Sequence, residues 1–561
     1  MVHDPLFISA SLEEIAALLK LAGEGYKARA YARGAERAAA LGDQLGALIT
    51  DGSLIEMPDI GRSLAKQISA LWHTGSSPLL EHLRVEFPPG SAELSRVPGL
   101  TARRIKLLRE QLDIRSVDSL RDACLAQRVR ALPGFGPKTE QRLLAAIDRY
   151  RGAPLQPQRM LLSDALLFAR RLERQIVGQQ LGAAVILAGA ARRCHELVSE
   201  LELVVVEPRA SDIAAALARS PYLLRSADGL LVEGVPLRLH VATHANAGAV
   251  LLHATGSGAH MQELEARARA RGLALQPDGL RDAHGQLSPA SSEERAIYGE
   301  LGASYAPPER RDHAAQTSSD LVARAHLRGA VHCHTTYSDG KHSIEEMARA
   351  AEALGFEYIT ITDHSPSAHY AGGVDHDRLM EQWDEIARVQ EEVGIRILRG
   401  TESDILADGS LDYPDHILER FDVIIASIHG RMRMDRVQMT ERLVRAMRVP
   451  VFKIWGHALG RMLLHRDPID CDVEAILDAL AESPGAIELN GDPHRLDLPP
   501  EWIPHARARN IPFVLSSDAH STTGLGAVEY AVMMARRGAL TPSEVLNTLP
   551  AREFIQRVKP S

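Results

Sequence analysis

Cysteine and long apolar runs are the two features that this sequence most clearly lacks. Only four of its 561 residues are cysteines, and none of the four stands in a paired spacing. This usage is typical of a reducing compartment and argues against a disulfide framework or a thiolate zinc site. No apolar stretch reaches the roughly 18 residues that span a bilayer, and the N-terminus lacks the pattern of a secretion signal. We therefore expect a cytoplasmic protein with no membrane partner.

An excess of positive charge is also absent. The formal net charge is −9, which by itself does not indicate a nucleic-acid binder. Residues 101–150 nevertheless hold 11 Lys/Arg against 6 Asp/Glu, so we expect a local basic surface there. Histidine is crowded instead, since 13 of the 24 lie between His332 and His520. Metal binding is the commonest reason for such crowding.

The patterning along the chain predicts a multidomain protein, as does its length. Residues 1–150 show the periodicity of helices. Residues from about 160 to 315 mix helical stretches with β-rich segments such as LELVVVE and PLRLHVAT. From about residue 328 onward, helices alternate with short apolar strands, which predicts a largely parallel α/β domain.

Potential metal ligands follow most strands of this last domain. They are His332, His334, Asp339, His364, Glu402, His429, His457, Asp518 and His520. Because the carboxyl ends of the strands of an α/β barrel meet on one face, these six imidazoles and three carboxylates are expected to converge. Nine ligands exceed the need of one ion and imply two or three divalent ions. A set without thiolate suits Zn, Mn or Fe better than Ca or Mg alone.

The same segments resemble a known family. HxHTxxSDG, TDHS, GxExDI, SxHG, GHxxGR and SSDAH are similar to the motifs of the polymerase and histidinol phosphatase (PHP) domain, over about residues 328–561. The resemblance implies a distorted (β/α)7 barrel with a three-metal site that hydrolyses phosphoesters. It also implies one metal on His332, His334, Glu402 and Asp518, a second on Glu402, His429 and His457, and a third on Asp339, His364 and His520.

All nine ligand positions of the family are filled, so the resemblance predicts an active hydrolase. We expect catalysis to depend on His332, His334, Glu402, Asp518 and Arg431. Arg431 and Arg461, each just after a ligand histidine, are candidates for binding phosphate. An ordinary surface role is the alternative for both arginines.

Three segments of the helical region, 56–68, 96–108 and 131–144, share a hydrophobic-proline turn followed by a helix. Such a turn exposes backbone N–H groups at a helix N-terminus, which can bind a phosphate oxygen without reading sequence. The segments resemble helix-hairpin-helix motifs. The residues predicted to bind DNA are Gly99, Arg103, Arg104, Gly134, Gly136 and Lys138.

The wider stretch up to about residue 308 resembles family X DNA polymerases of the bacterial type that is fused to a PHP domain. GEGYKARAYARGAER is similar to the N-terminal 8-kDa domain, AGAARRCHELVSELELVVV to the palm, and IYGELGASYAPPE to the end of the thumb. The resemblance implies an all-α front part and an α/β palm and thumb before the barrel. The predicted boundaries are 1–92 (8-kDa-like), 93–151 (helix-hairpin-helix), 152–235 (palm), 236–315 (thumb), 316–327 (linker) and 328–561 (PHP domain).

The palm departs from the family at its metal site. The family's Asp-x-Asp pair corresponds to Glu200 and Glu202, its third aspartate to Arg238, and its nucleotide-binding Gly-Ser to Gly189 and Ala190. An extra methylene in each carboxylate and a cation among the ligands suit the strict geometry of Mg²⁺ poorly. We therefore predict no Mg²⁺ in the palm and weak or absent nucleotide polymerisation.

The sequence thus favours a DNA-processing metal-dependent phosphoesterase of DNA repair, associated with the nucleoid. Its reaction would be 3′–5′ exonuclease cleavage, abasic-site cleavage or 3′-phosphate removal on gapped, nicked or primer-template DNA. One alternative is an active gap-filling polymerase with PHP proofreading. A second is a small-molecule phosphatase of the histidinol-phosphatase type, and a third is a DNA scaffold without activity. The sequence indicates no particular protein partner.

Overall fold

The computed structural model describes residues 5–41, 44–57, 60–87, 94, 100–152, 159–208, 213, 217, 223–226, 229–232, 234–312 and 320–559. The chain divides into two compact units, Met1–Gln156 and Pro157–Ser561. Among the described residues, no helix combines the length and the apolar character needed to cross a bilayer.

The first unit is all-helical, as predicted. Its helices are Pro5–Leu21, Gly25–Leu41, Gln44–Thr50, Arg62–Thr74, Pro78–Glu86, Ala102–Leu112, Val117–Leu125 and Pro137–Gly152. Each of them buries one apolar stripe, as amphipathic helices do. The helices up to Glu86 share one apolar core, and those from Ala102 share another.

The second unit begins with a five-stranded sheet that corresponds to the predicted palm. Its strands are β2 (Ala184–Leu187), β4 (Leu201–Val206), β5 (Leu223–Ser226), β6 (Gly229–Val232) and β7 (Val235–Ala242), in the order β2-β4-β7-β6-β5. The two-residue strands β1 (Met160–Leu161) and β3 (Leu197–Val198) pair beside it. Helix Leu162–Gly178 packs on β2 and β4 and closes the core.

The predicted boundary between palm and thumb, at 235/236, falls at the start of β7. The sheet places this whole strand in the palm, because β7 pairs with β4 on one side and with β6 on the other. The thumb then follows with helices Ala247–Thr255, Gly258–Ala270 and Glu294–Glu300 and the hairpin of β8 (Ala274–Gln276) and β9 (Gly279–Arg281).

The last part of the chain is a seven-stranded parallel barrel. Its strands are β10 (Gly329–Cys333), β11 (Tyr358–Ile361), β12 (Arg396–Asp404), β13 (Val423–Ser427), β14 (Lys453–Trp455), β15 (Gly485–Asn490) and β16 (Phe513–Ser516), paired in chain order. The connections contain the helices Ile344–Ala353, His376–Gln390, Asp415–Leu418, Arg436–Met447, Val473–Ala481 and Ile503–Ala508, and Val528–Arg537 follows β16. This arrangement confirms the predicted barrel.

The barrel strands are buried on both faces, which explains their continuous apolar sequences. One face packs on the surrounding helices, and the other face fills the barrel interior. Helix Ala551–Val558 packs on the interior cluster, where the ring of its Phe554 stacks on Tyr358 at 4.8 Å between centroids.

One buried amide completes the seam between the first and last strands. Beyond β10 and β16, at the end that carries the ligands, the backbones of His334 and Ala519 bond directly (2.8 Å). Farther down the seam, the Asn547 side chain, which is 0% exposed, donates to the carbonyls of Gly329 (3.0 Å) and Leu515 (2.7 Å). Its oxygen accepts from the Leu515 N–H (3.0 Å). Asn547 therefore acts as a one-residue substitute for a missing strand pairing.

Palm, thumb and barrel pack against one another within the second unit. Leu463, Leu496 and Met534 of the barrel belong to the same apolar core as the palm. Ion pairs surround this junction, with Glu196 bound by Arg461 and Arg537. The Asp312 carboxylate accepts from Arg193 (2.7 Å), His195 (2.7 Å) and Arg537 (3.2 Å).

The segment 316–327, predicted as a linker, is packed where the structure describes it. Residues 313–319 lie outside the described part of the chain. Val322 is 0% exposed and donates its N–H to the Leu540 carbonyl (2.9 Å). Leu327 joins the apolar layer between barrel and helices. The residues from Val322 onward therefore belong to the barrel, because two apolar side chains anchor them there.

The substitution Asn547→Leu tests the seam. It keeps the side-chain volume but leaves three buried backbone groups of Gly329 and Leu515 without their partner. We expect a loss of roughly 2–5 kcal/mol in the free energy of unfolding, measured by urea titration. Gln556→Leu, which replaces an exposed amide in the following helix, is the matched control and should change stability by less than about 0.5 kcal/mol. Equal effects of the two substitutions would refute the role of Asn547.

Asp312 gives a pH-dependent test of the junction. Burial alone would raise the pKa of its carboxyl, but His195, Arg537 and Arg193 outweigh burial and hold this pKa far below its usual value. A carboxylate of this kind stabilises the fold above its unfolded pKa of about 3.9 and ceases to do so as the pH falls further. Asp312→Asn should therefore cost about 1–3 kcal/mol at pH 7, and the difference from wild type should shrink below about pH 4. Asp320→Asn, at an exposed carboxylate, is the control, and a pH-independent effect of Asp312→Asn would contradict the argument.

Candidate functional site

The nine predicted ligands meet at the carboxyl end of the barrel. His332 and Glu402 lie near the ends of β10 and β12. The others follow a strand: His334 and Asp339 follow β10, His364 follows β11, His429 follows β13, His457 follows β14, and Asp518 and His520 follow β16. The structure brings all of them together, including Asp339, which reaches the cluster from the loop after β10.

The Glu402 carboxylate lies at the centre of this cluster. It is 1% exposed and lies close to a ring nitrogen of five histidines. The nitrogen–oxygen distances are 3.4 Å for His332, 3.7 Å for His334, 2.9 Å for His364, 3.3 Å for His429 and 2.8 Å for His457. A single carboxylate therefore connects residues from five strands.

The donor atoms form three overlapping groups. One consists of His334, Asp339, His364 and His520, another of His332, His334 and Asp518, and the third of His364, Glu402 and His429. In each group the ligand atoms lie within 4.8 Å of one another. His334 and His364 each belong to two of these groups. In the assignment of ligands to three metals that the family resemblance implies, Glu402 is the residue that binds two metals. His457 belongs to none of the three groups, although it bonds to Glu402.

These residues fit divalent metal ions. Ligands about 2.1 Å from an ion lie roughly 3–4.2 Å apart, which is close to the separations found here. The Nε2 atom of His332 and both ring nitrogens of His334 are buried without a hydrogen-bond partner in the described structure. A buried nitrogen left without a partner costs free energy, and a metal ion would remove that cost. The clusters are thus compatible with divalent metal binding.

Electrostatics separate the histidines of the cluster into two kinds. Burial lowers the pKa of His334 to about 3, with further lowering by His520 and His364. Burial also disfavours the charged form of His429, but Glu402 and Asp404 outweigh it and raise the pKa of His429 to about 10. Without metal, a protonated His429 therefore balances the charge of Glu402 and Asp404, whereas His334 is a neutral imidazole.

Two carboxylates that the sequence analysis did not single out orient the ligands. Glu488 accepts from Nδ1 of His332 (2.5 Å) and from the backbone N–H of His457. Asp404 accepts from Nδ1 of His429 (2.8 Å). Such partners fix the ring orientation and make the imidazole a stronger ligand. Both lie on strands, in AIELN and GTESD, and an acidic residue inside a buried strand was the available signal.

The backbone has a positive φ at three of the candidate ligands, which is 25° at His457 and larger at the other two. His332 has φ 64° and Asp518 has φ 50°, in the region that favours glycine. Each such residue costs roughly 1–3 kcal/mol and persists only where its surroundings enforce it. Here the His332 N–H donates to the Thr360 hydroxyl (3.0 Å) and its carbonyl accepts from Ala519 (3.1 Å). The strain turns both side chains toward the cluster.

The arginines near the site differ from one another in what they contact. Arg431 is exposed at the barrel mouth and remains a candidate for phosphate binding. Arg461 is 8% exposed and donates to Glu196 and to the carbonyls of Arg495 and Leu496, so its guanidinium is already occupied. Arg495 was not predicted. Its Nε lies 3.8 Å from Asp518, and its Nε and Nη1 are buried without hydrogen-bond partners in the described structure.

The palm carboxylates are paired with basic side chains. Glu200 accepts from Arg238 (3.0 Å), and Glu202 lies 2.9 Å from Nε2 of His240. Arg238 and His240 both lie on β7, which is registered against β4 and contains no acidic residue. Gly189 is left-handed (φ 65°), and a Cβ there would lie 2.3 Å from the Glu202 carboxylate. Glu202 therefore fills the space beside the Gly189–Ala190 turn.

The predicted DNA-binding turns are partly described. Gly99 lies outside the described residues. Gly134 has φ 81°, Gly136 precedes the helix Pro137–Gly152, and Lys138 is exposed in its first turn. Arg103 is exposed, whereas Arg104 donates to the Gly134 carbonyl (3.1 Å). Arg104 therefore braces the second turn region against the third.

Comparison with known proteins matches three regions to families: a SAM-like helix-hairpin-helix tandem at 91–149, a DNA polymerase beta thumb at 250–312 and a PHP domain at 330–490. The DNA polymerase/3'-5' exonuclease PolX of Bacillus subtilis (strain 168) is 31% identical over 97% of this chain and 98% of its own length. A probable phosphatase of Thermoanaerobacter sp. (strain X514) is 30% identical over 39% of this chain and 89% of its own length. A probable phosphatase of Aeromonas hydrophila is 26% identical over 39% of this chain and 89% of its own length.

Glu402→Gln tests the cluster as a metal site. The substitution keeps the shape of the side chain but removes the charge that faces five histidines. We expect the affinity for divalent metal to fall by more than tenfold, measured as metal per chain by mass spectrometry after dialysis. Glu501→Gln, at an exposed carboxylate on the same domain, should retain the wild-type metal content. An unchanged metal content in Glu402→Gln, with an intact circular dichroism spectrum, would show that metal does not bind at this cluster.

Proposed function

The chain belongs to the bacterial family X DNA polymerases that carry a C-terminal PHP domain, and we propose that within this family it is a 3′–5′ exonuclease with a silent palm. It is a metal-dependent phosphoester hydrolase and a DNA-processing enzyme. One observation supports the proposal: the barrel brings nine candidate metal ligands together, one of them the buried Glu402 carboxylate, whereas the palm carboxylates are paired with Arg238 and His240.

Three divalent ions of Zn, Mn or Fe are proposed for the barrel. Three donor groups support this number, and the mixture of imidazole and carboxylate supports these metals. When bound, the ions would supply positive charge that polarises the phosphate and activates the attacking water.

The remaining steps fall to side chains of the chain. Glu488 and Asp404 hold the rings of His332 and His429 in position. Arg495 is proposed to bind a non-bridging phosphate oxygen, because its Nε lies 3.8 Å from Asp518 and its Nε and Nη1 have no hydrogen-bond partner in the described structure. Hydrolysis breaks the bond between phosphorus and the 3′ oxygen of the preceding nucleotide. Water adds its hydroxyl to phosphorus and its proton to that oxygen, which gives a free 3′ end and a nucleoside 5′-monophosphate.

The absence of polymerisation is proposed from the palm geometry. Two Mg²⁺ ions require close, unoccupied carboxylate oxygens. Arg238 bonds to the Oε1 atom of Glu200, and His240 bonds to the Oε2 atom of Glu202. A cation within 3.0 Å of Glu200 also repels a second cation from the same place.

The front domains are proposed to hold the DNA. Helix-hairpin-helix and thumb families imply DNA binding, and the exposed Arg103 and Lys138 suit phosphate contacts that carry no sequence information. Gapped, nicked or primer-template DNA is the proposed substrate form, and repair at the nucleoid in the cytoplasm is the proposed setting. Abasic-site cleavage and 3′-phosphate removal would use the same cluster.

A small-molecule phosphatase is the second candidate. The observation in its favour is that proteins named probable phosphatases match the barrel region over most of their own length. The buried cluster would accept a monoester as well as a strand end. The two candidates differ in whether the front unit is needed for turnover.

A 5′-labelled primer on a gapped template, incubated with Mn²⁺ with and without dNTPs, tests the proposal. We expect primer shortening in both conditions and its loss, by at least about 100-fold, in His334→Ala, since a ligand shared by two donor groups is removed. His416→Ala, at an exposed histidine outside the cluster, should cleave at the wild-type rate. Extension of the primer with dNTPs would refute the silent palm. Absence of shortening, together with hydrolysis of a sugar or amino-alcohol phosphate, would favour the small-molecule phosphatase.

A further inference from the structure

Tyr370 is an unusual residue at the mouth of the metal cluster. Its side chain is 70% exposed, and among the described residues it is the only aromatic one of the large apolar side chains at the surface. Its ring centroid lies 6.2 Å from that of His364 and 6.2 Å from that of His429. In a chain with 4% aromatic residues, the one exposed Phe, Trp or Tyr ring that the described part of the chain offers therefore lies beside two proposed metal ligands.

The turn that carries Tyr370 is anchored from below. Ala368 and Ala371, on either side of it, are 1% and 3% exposed. The N–H groups of Ala371 and Gly373 both donate to the Ala368 carbonyl (2.9 and 3.1 Å). The preceding Ser367 hydroxyl donates to Asp404 (2.8 Å), the same carboxylate that orients His429. These bonds hold the turn against the cluster and keep the ring outside the core.

Cationic side chains accompany the ring. Arg495, whose Nε and Nη1 are buried without hydrogen-bond partners in the described structure, lies 3.8 Å from Asp518 on the other side of the cluster. Both Arg495 and Arg466 interact electrostatically with Tyr370. The mouth thus combines an accessible aromatic face with positive charge that faces the ligands. This pair of features suits a nucleotide, which has a flat base and an anionic phosphate one sugar apart.

We propose that Tyr370 is a stacking platform for the terminal base of a DNA strand and that it selects an unpaired 3′ end. This inference rests on the proposed exonuclease activity. A base within a duplex has both faces covered by its neighbours, so an exposed ring gains little from it. An unpaired terminal base has a free face, and stacking on the ring would place the adjoining phosphate at the cluster, within reach of Arg495. Tyr370 is a specificity-determining residue in this scheme and takes no part in bond breaking.

A fluorescent strand end tests the platform directly. The probe is a single-stranded oligonucleotide with 2-aminopurine at the 3′ terminus and a phosphorothioate at the last linkage to slow cleavage, added to the full-length protein loaded with Mn²⁺. Stacking of 2-aminopurine on Tyr370 should quench its fluorescence. Tyr370→Ala should abolish the quenching and weaken binding by roughly 5- to 150-fold, the range for one base–aromatic stack, whereas Tyr370→Phe should retain both.

Cleavage rates provide the second measurement. Wild type should shorten a mispaired 3′ end faster than a paired one, and Tyr370→Ala should remove this preference by slowing the mispaired end. His369→Ala, the exposed neighbour on the same turn, is the matched control and should keep the preference. Metal content equal to wild type in Tyr370→Ala excludes damage to the cluster.

The outcomes distinguish the two proposals. If wild type and Tyr370→Ala quench the probe equally and share the same preference, the platform is refuted while the exonuclease stands. If wild type shortens no primer at all, the exonuclease itself fails, and with it the platform.

Discussion

The second unit is organised around one buried charge, the Glu402 carboxylate, with five imidazoles around it. A carboxylate removed from water costs several kcal/mol unless it is paired, and no single neighbour on one strand could satisfy it. The barrel solves this by bringing five histidines from four strands to one point, at nitrogen–oxygen distances of 2.8–3.7 Å. The strained backbone of His332 and the closing amide Asn547 are consequences, because the strands must end in register for the rings to reach the same oxygen atoms.

The contrast between barrel and palm follows from the same physics. In the barrel, imidazoles bond to the carboxylates, and an imidazole can release its proton when a metal ion binds, so the carboxylate charge remains available to cations. In the palm, Arg238 bonds to Glu200 and His240 bonds to Glu202, so these carboxylates are less available to a metal ion. The palm also has a structural role, because its core includes Leu463, Leu496 and Met534 of the barrel. Its loss would expose this apolar surface beside the loop that carries Arg495.

The sequence predicted that the nine candidate ligands would meet, because parallel strands place their carboxyl ends together whatever the helices do. It could not predict Glu488 or Asp404, since an acidic residue inside a strand is recognised as an orienting group only when its partner ring is known. The boundary at β7 and the packed end of the linker were missed for a related reason. β7 pairs with β4, which lies more than 30 positions earlier in the chain, and Val322 bonds to Leu540, more than 200 positions later. Local polarity does not report such contacts.

The depth of the cluster constrains which phosphoesters can reach it. His332, Glu402 and His457 are at most 2% exposed, whereas the side chains of Asp339 and His520 are more than a third exposed. The exposed side of the cluster is therefore the one at Asp339 and His520. A phosphate within a duplex carries chain on both sides and a stacked base pair beside it, so only a large distortion would bring it to Glu402. The phosphate of a terminal nucleotide needs room for that nucleotide alone, and this difference supports the proposed exonuclease over cleavage within a duplex.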